Sequence, residues 1–485
     1  MDKKKIYQLG IVLLLIVSGI FYVYYYILTK NQAVWWDEAE YLLKAKNIAF
    51  STPETGFWEG RPILFSIILA GLFKIGFSEG SIRLLLLFVS IGTVWLVYLF
   101  GKKLYDEKIG LIAGALYASF YLSIFYSMRI MVDVLHLTFG LAGIMCFLSR
   151  KKWAVRLSLP LIAIATLIRF PSFLFAIILI IYIFITEGSS AMKNKEYWIS
   201  AALGLAVGIP YLLWSKIKYG SAFHAISVAG GGATEGITIS SGFGILKQYL
   251  GTFPGYLGVF LLLIFIISFI TLLIKTAISF DLIIKKKAPE LNKNILILLF
   301  IIIPLFYFSF QVSHYEDRYL IIAFPAIFCC IAQCFGTIKR VIEKRSSSRV
   351  AIIIIIIAVI AGSFQLILHS SEITQSRIDS YRQIKESSIW IKEHSIETER
   401  IITKSVPQTT YYSERESYSF SNTEQEFDGN FTELKSRYVV VSLFEKYPEW
   451  AYTPEFPAKY NLTVARVYES GGQPALIIYE ALNNK

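Results

Sequence analysis

Long apolar runs joined by short polar connections fill the first three quarters of the chain. They fall at about 6–28, 62–77, 83–100, 109–127, 130–149, 155–168, 170–186, 198–214, 254–275, 294–311, 319–337 and 350–368. A helix that crosses a bilayer takes about 20 apolar residues, so each run is a candidate. The run 62–77 is short and carries Lys74 near its end. If it crossed, Lys102 and Lys103, Lys151 and Lys152, Lys285 to Lys287 and the cluster from Lys339 to Arg349 would all lie outside, against the bias of such residues toward the cytoplasm. Read as a helix lying at the outer interface, it puts all four clusters inside with Lys3 to Lys5 and leaves eleven crossings. Arg169-Phe170-Pro171 separates two short crossings, because proline disfavours the helical state of the residue before it.

After Leu368 the pattern changes. Helical spacing of Ile378, Tyr381, Ile384, Ile389 and Trp390 is followed by apolar stretches at 438–443 and 475–479 that read as buried strands. The expected fold class is an α-helical polytopic membrane protein, with about eleven transmembrane helices and an outer interfacial helix over residues 1–369. An extracytoplasmic soluble α/β domain is expected over 370–485. The stretch from Ser215 to Leu250, with Gly230-Gly231-Gly232, reads as a long outer loop able to act as a lid.

Composition sharpens this reading. The 485 residues are 55% hydrophobic and 17% charged, with mean hydropathy +0.56, which excludes disordered, fibrous and disulfide-scaffold classes. The net charge of +12 alone would suggest nucleic acid. Residues 370–485, however, hold 13 Lys and Arg against 17 Asp and Glu, a net of −4, which leaves +16 for the apolar part. The excess sits in the connections, where insertion topology accounts for it, so membrane lipids are implied and no nucleic acid. Cys146, Cys329, Cys330 and Cys334 lie inside apolar runs without metal or redox spacing and read as packing residues.

Charged residues near the outer face are few. Trp35-Trp36-Asp37-Glu38-Ala39-Glu40 follows the first helix, and Asp133 follows Ser127-Met128-Arg129 at the start of another. Each acid fits a helix N-terminus, but two acidic loops on one face also suit a site that handles hydroxyls or a metal. Arg61, Arg169 and Arg318 stand at outer helix ends, the side disfavoured for cations, and Arg83 begins an apolar run. A lipid phosphate would explain them, since a guanidinium fork matches its oxygens.

Taken in order, Trp-Trp-Asp-Glu, Arg61-Pro62, the Arg83 helix, Ser-Met-Arg with Asp133, Arg169-Phe170-Pro171 and Arg318-Tyr319 resemble the GT-C membrane glycosyltransferases. The likeness, over about Met1 to Arg340, is greatest to the branch of protein O-mannosyltransferases and lipid A aminoarabinose transferases. It implies inverting transfer of a sugar from a polyprenyl- or dolichyl-phosphate carrier to a glycan, lipid or protein acceptor outside the cell membrane. It makes Asp37 the catalytic base, with Glu38 and Asp133 on the acceptor side. Arg61, Arg169, Arg318 and Tyr319 then face the donor phosphate, although Arg61 replaces the family's Lys and only one of its two prolines, Pro62, remains. The likeness fixes no cofactor and leaves metal dependence open; a divalent metal, if present, would be held by Asp37 and Asp133. The alternative is a polytopic transporter or lipid flippase, which would place charges at mid-membrane depth and show broken helices from internal repeats.

Overall fold

The computed structural model describes residues 3–482, so the outermost limits of the two expected domains, 1–2 and 483–485, lie outside it. The chain opens with α1 (Lys3–Thr29) and then two short helices, α2 (Trp36–Phe50) and α3 (Leu64–Lys74). At 11 residues α3 is too short to cross, in keeping with an interfacial helix. The bundle continues through α4 (Glu79–Leu104), α5 (Glu107–Ser119), α6 (Tyr121–Ser127), α7 (Val132–Leu148), α8 (Lys152–Ile168), α9 (Phe173–Glu187) and α10 (Lys195–Tyr219). It closes with α11 (His224–Thr234), α12 (Ile239–Ile278), α13 (Phe280–Ile284), α14 (Asn292–Phe310), α15 (Phe324–Glu343) and α16 (Ser348–Ser376). By length and composition eight helices among the described residues suit a crossing, or nine if the bent pair α5–α6 is one span. The eleven-crossing reading also uses α7 and α8, which have 17 residues each.

Three breaks interrupt the helices of the bundle. Phe120, extended at φ −76° and ψ 136°, separates α5 from α6 at a bend of 58°, and its ring packs on Phe324 at 4.1 Å. Arg169 is extended, at φ −149° and ψ 117°, and ends α8 before the 3-10 turn Phe170–Ser172, which contains Pro171. In α12, Gly258 has φ +67°, and the Gln365 side chain occupies the space that a Cβ would need. Only glycine meets both demands without strain. The sequence pattern missed two features here. The expected glycine-rich loop is helical, since α11 spans Gly230 to Gly232 and α12 starts at Ile239. The run expected to be helical from residue 319 begins instead as a 3-10 turn, Asp317–Ile322, that carries Arg318 and Tyr319.

Beyond α16, which runs seven residues past the 369/370 boundary read from composition, stands the α/β domain. It comprises α17 (Arg382–His394), β1 (Ile401–Thr403), α18 (Val406–Ser413), β2 (Ser417–Ser419), α19 (Glu424–Leu434), β3 (Tyr438–Ser442), α20 (Glu455–Lys459), β4 (Leu462–Ser470) and β5 (Gln473–Ala481). The strand order is β2-β1-β3-β5-β4, with β1 parallel to β2 and β3 and the other pairs antiparallel. Alternation in β3 divides the core: Val439 and Val441 pack with Phe427 and Phe456, whereas Tyr438 and Val440 pack with Ile384 and Ile391 of α17. Helix α18 is buried throughout and docks the domain on α2. There Tyr412 Oη accepts from Val34 N at 3.0 Å, Tyr411 Oη donates to Glu79 at 2.9 Å, and Lys46 pairs with Glu414 at 2.7 Å.

Candidate active site

Helix α2 divides its acids between two faces. Asp37 and Glu40, three residues apart, share one face, and Glu38 points about 100° away. Its carboxylate is fully buried, accepts from Arg129 at 3.1 Å and from the backbone N–H groups of Trp35 at 2.9 Å and Ile130 at 2.8 Å, and forms an ion pair with Arg83 at 3.3 Å. Burial pushes Glu38 up, but Arg83 and Arg129 outweigh it and hold the carboxyl below its usual range. Glu38 therefore fastens α2 to the turn between α6 and α7. Arg129 in turn lies over the Trp35 ring at 4.0 Å.

The other face of α2 meets arginines from distant segments. Asp37 Oδ1 accepts from Arg61 Nη2 and Oδ2 from Arg318 Nη2, each at 2.5 Å. Arg61 also binds Glu40, and Arg318 binds Glu316 at 2.5 Å while lying 3.9 Å from Asp133 Oδ2. Asp133, in the first turn of α7, is held by Arg169, whose guanidinium lies over the Tyr319 ring at 5.2 Å. The result is an alternating chain, Glu40–Arg61–Asp37–Arg318–Asp133–Arg169, assembled from five separate segments. Burial favours the neutral form of Asp37, yet Arg318 and Arg61 hold it well below the usual carboxylate range. Burial raises Glu40 instead, against the pull of Arg61.

Two hollows flank this chain. A cavity of about 680 Å³ has Trp35, Asp37, Tyr121, Arg318, His369 and Arg377 in its wall, with Tyr381 of the α/β domain at its edge. A second cleft of about 590 Å³ is lined by Ile63, Leu64, Leu167 and Trp214, with Lys44 and Lys218 as its charges. Its walls begin two residues from Arg61 and from Arg169. Lys44 is held by Glu54, and burial lowers its pKa.

Of the residues singled out from sequence, Asp37 and Arg318 line the cavity, and Arg61, Asp133, Arg169 and Tyr319 join them in the charge chain. Glu38 and Asp133, expected on the acceptor side, have fully buried carboxylates, and neither lines the cavity. Asp37 and Asp133 do not hold the N-cap positions of α2 and α7, which fall to Trp35 and Met131. Sequence reasoning passed over Glu40, Tyr121, His369 and Arg377. The last two lie at the far end of α16, where only a domain boundary was sought.

The donor set does not fit a metal. Asp37 and Asp133 are both neutralised by arginines, and no group of three or more His, Cys, Asp or Glu among the described residues is arranged to hold an ion.

A family model described as dolichyl-phosphate-mannose-protein mannosyltransferase matches residues 60–214, about a third of the chain. No curated protein sequence matches. Among solved structures, ArnT from Cupriavidus metallidurans bound to undecaprenyl phosphate superposes with a TM-score of 0.70 at 11% identity, covering 96% of this chain and 97% of its own. AglB, the oligosaccharyltransferase of Archaeoglobus fulgidus, in complex with an inhibitory peptide and a dolichol-phosphate, matches with a TM-score of 0.64 at 11% identity, covering 99% of this chain and 75% of its own. The chain therefore has the fold of ArnT and AglB, the GT-C fold, over nearly its whole length, and its residues 60–214 are similar to the dolichyl-phosphate-mannose-protein mannosyltransferases.

Proposed function

We propose that the protein moves a sugar from a polyprenyl- or dolichyl-phosphate carrier to an acceptor on the extracytoplasmic face of the cell membrane, by inverting displacement. The observation that carries this reading is the Asp37 carboxylate, held between Arg61 and Arg318 where a polar cavity and an apolar cleft approach each other. The cleft suits a polyprenyl tail, and the cavity, roofed by the α/β domain, suits the acceptor. ArnT holds undecaprenyl phosphate and AglB a dolichol-phosphate, which supports the same class of donor here.

The orientation rests on charge. Helix α16 runs from the basic cluster Lys339 to Arg349 up to the cavity, and α4 runs from Glu79, beside the α/β domain, down to Lys102 and Lys103. With the basic ends in the cytoplasm, cavity and domain face outward.

The chemistry follows from the charge chain. In the resting site Asp37 is ionised but a weak base, because two guanidinium groups stabilise its charge. A donor phosphate competes for Arg61 and Arg318, with Arg169 and Tyr319 behind them. As they turn to the phosphate, the Asp37 carboxylate is released and its basicity rises. It then takes the acceptor's hydroxyl proton while that oxygen bonds to the sugar's anomeric carbon from the face opposite the carrier. The bond to the phosphate oxygen breaks, its electron pair leaves with the carrier, and the arginines hold the growing charge. Asp133 and Glu38 act by positioning arginines.

Replacing Asp37 with Asn is expected to reduce transfer by about 10² to 10⁴, the usual contribution of a positioned base. The assay is transfer of radiolabelled sugar from a polyprenyl-phosphate donor in membranes, with donor binding measured alongside. Wild-type turnover in D37N would remove Asp37 as the base.

A further inference from the structure

Every arginine around Asp37 but one is matched by acid. Arg61 is bound by Asp37 and Glu40, Arg318 by Asp37 and Glu316, Arg169 by Asp133, and Arg83 and Arg129 by Glu38. Arg377, the residue that ends α16, makes no ion pair among the described residues although it lines the same cavity. Its guanidinium lies 5.4 Å from the Trp35 ring and 5.6 Å from the Phe125 ring, and Arg129 lies over the same two rings. Its carbonyl oxygen accepts from the Gln32 side chain, which pins it beside the start of α2. Trp35 is two residues from Asp37, so this cation is held against the wall from which the proposed base projects.

The acids that line the cavity form no ion pair with it among the described residues. Asp37 and Glu316 are taken up by Arg318, and Asp317 accepts from the Tyr121 hydroxyl at 2.7 Å. A guanidinium held near rings and without an acid keeps N–H groups available, and two of them match the oxygens of a phosphate or carboxylate. Two stacked cations sharing one indole also repel each other, which an incoming anion relieves.

We propose that Arg377 is the docking point for an oxyanion of a substrate, a phosphate or carboxylate group that enters the cavity beside Asp37. This rests on reading the cavity as the active site. The group belongs either to the carrier or to the acceptor, and the test separates these sources. Arg377 is exposed, so its replacement leaves the packing around Glu38 and the charge chain in place.

The full chain in nanodiscs would be titrated with undecaprenyl phosphate and, separately, with glycerol 3-phosphate as a soluble probe, for wild type, R377A, R377Q and R377K. R377A and R377Q are expected to bind at least one probe about tenfold more weakly, with R377K between them and wild type. A loss confined to the lipid probe identifies the carrier, and one confined to the soluble probe identifies an anionic acceptor. In transfer assays R377A should raise KM with kcat near wild type, a split that a merely structural role would not produce. If R377A and R377Q bind both probes like wild type while transfer proceeds, the inference about Arg377 falls and the transferase reading stands. A wild-type chain that neither transfers sugar nor binds undecaprenyl phosphate overturns both.

Discussion

Two guanidinium groups, those of Arg83 and Arg129, depend on the one carboxylate of Glu38, and all three side chains are buried. Removing one partner from a buried ion pair costs about 3 to 5 kcal/mol, because the charges left behind keep their desolvation without their attraction. E38A is therefore expected to melt well below wild type in detergent, and a melting curve like wild type would show that the anchor is dispensable. The Asp37 site makes a different prediction. With its pKa held well below the ordinary carboxylate value, Asp37 stays ionised in the free enzyme, and kcat/KM should show no acid limb from it above about pH 4. In the donor complex the released carboxylate regains an ordinary or raised pKa, so the acid limb of kcat should lie at higher pH than that of kcat/KM. Coincident limbs would argue against release of the base. The motif Trp-Trp-Asp-Glu drew attention in the sequence, but which acid faces the cavity depends on how α2 is rotated against the bundle, and that rotation is fixed by Arg83 and Arg129.

At the scale of elements, the approach of α4 to α5 is set by two small residues. Gly101 and Gly110 face each other so closely that a Cβ on Gly101 would come within 2.9 Å of Gly110 Cα. A Cβ on Gly110 would lie 2.5 Å from the Tyr98 carbonyl oxygen, and neither backbone can yield without parting the helices. G110A is expected to destabilise by about 1 to 3 kcal/mol, as overpacking does, and to lower the thermal midpoint. Gly92 of α4 meets nothing within 4 Å at its Cβ position, so G92A serves as the control and should melt like wild type. Equal midpoints for the two variants would remove the packing explanation. Helix existence was legible from hydropathy along most of the chain. The helix over Gly230 to Gly232 was not, because glycine lacks helical propensity and the apolar spacing there is weak.

For the molecule as a whole, the α/β domain docks on the bundle through α18, which packs on α2. Glu414, just past that helix, joins Lys46 of α2 at 2.7 Å and Lys392 of α17 at 2.6 Å. Burial raises its pKa, but the two lysines prevail and lower it. A lowered folded pKa contributes stability that is present above the unfolded value of about 4.3 and is lost as pH falls through the folded one. The clamp should therefore hold at neutral pH and weaken only under acid below about pH 4. E414Q at pH 7 should raise amide exchange across residues 406–413, and wild type below pH 4 should do the same after correction for intrinsic rates. Unchanged protection in E414Q would show that the aromatic contacts of Tyr411 and Tyr412 suffice.

The sequence by itself determined the membrane class, the course of most helices, the change to an α/β domain after Leu368 and the short set of outer charges, because hydropathy and charge placement are local properties that the bilayer reads directly. The tertiary structure decided how those charges pair. Asp37 and Arg318 are 281 positions apart in the chain and meet at 2.5 Å. Glu38 turns inward while its neighbour turns to the cavity, and Arg377 reaches the site from the far end of the last bundle helix. Such pairings arise from helix rotation and from packing between distant segments, and neither is written in the pattern of any one stretch of sequence.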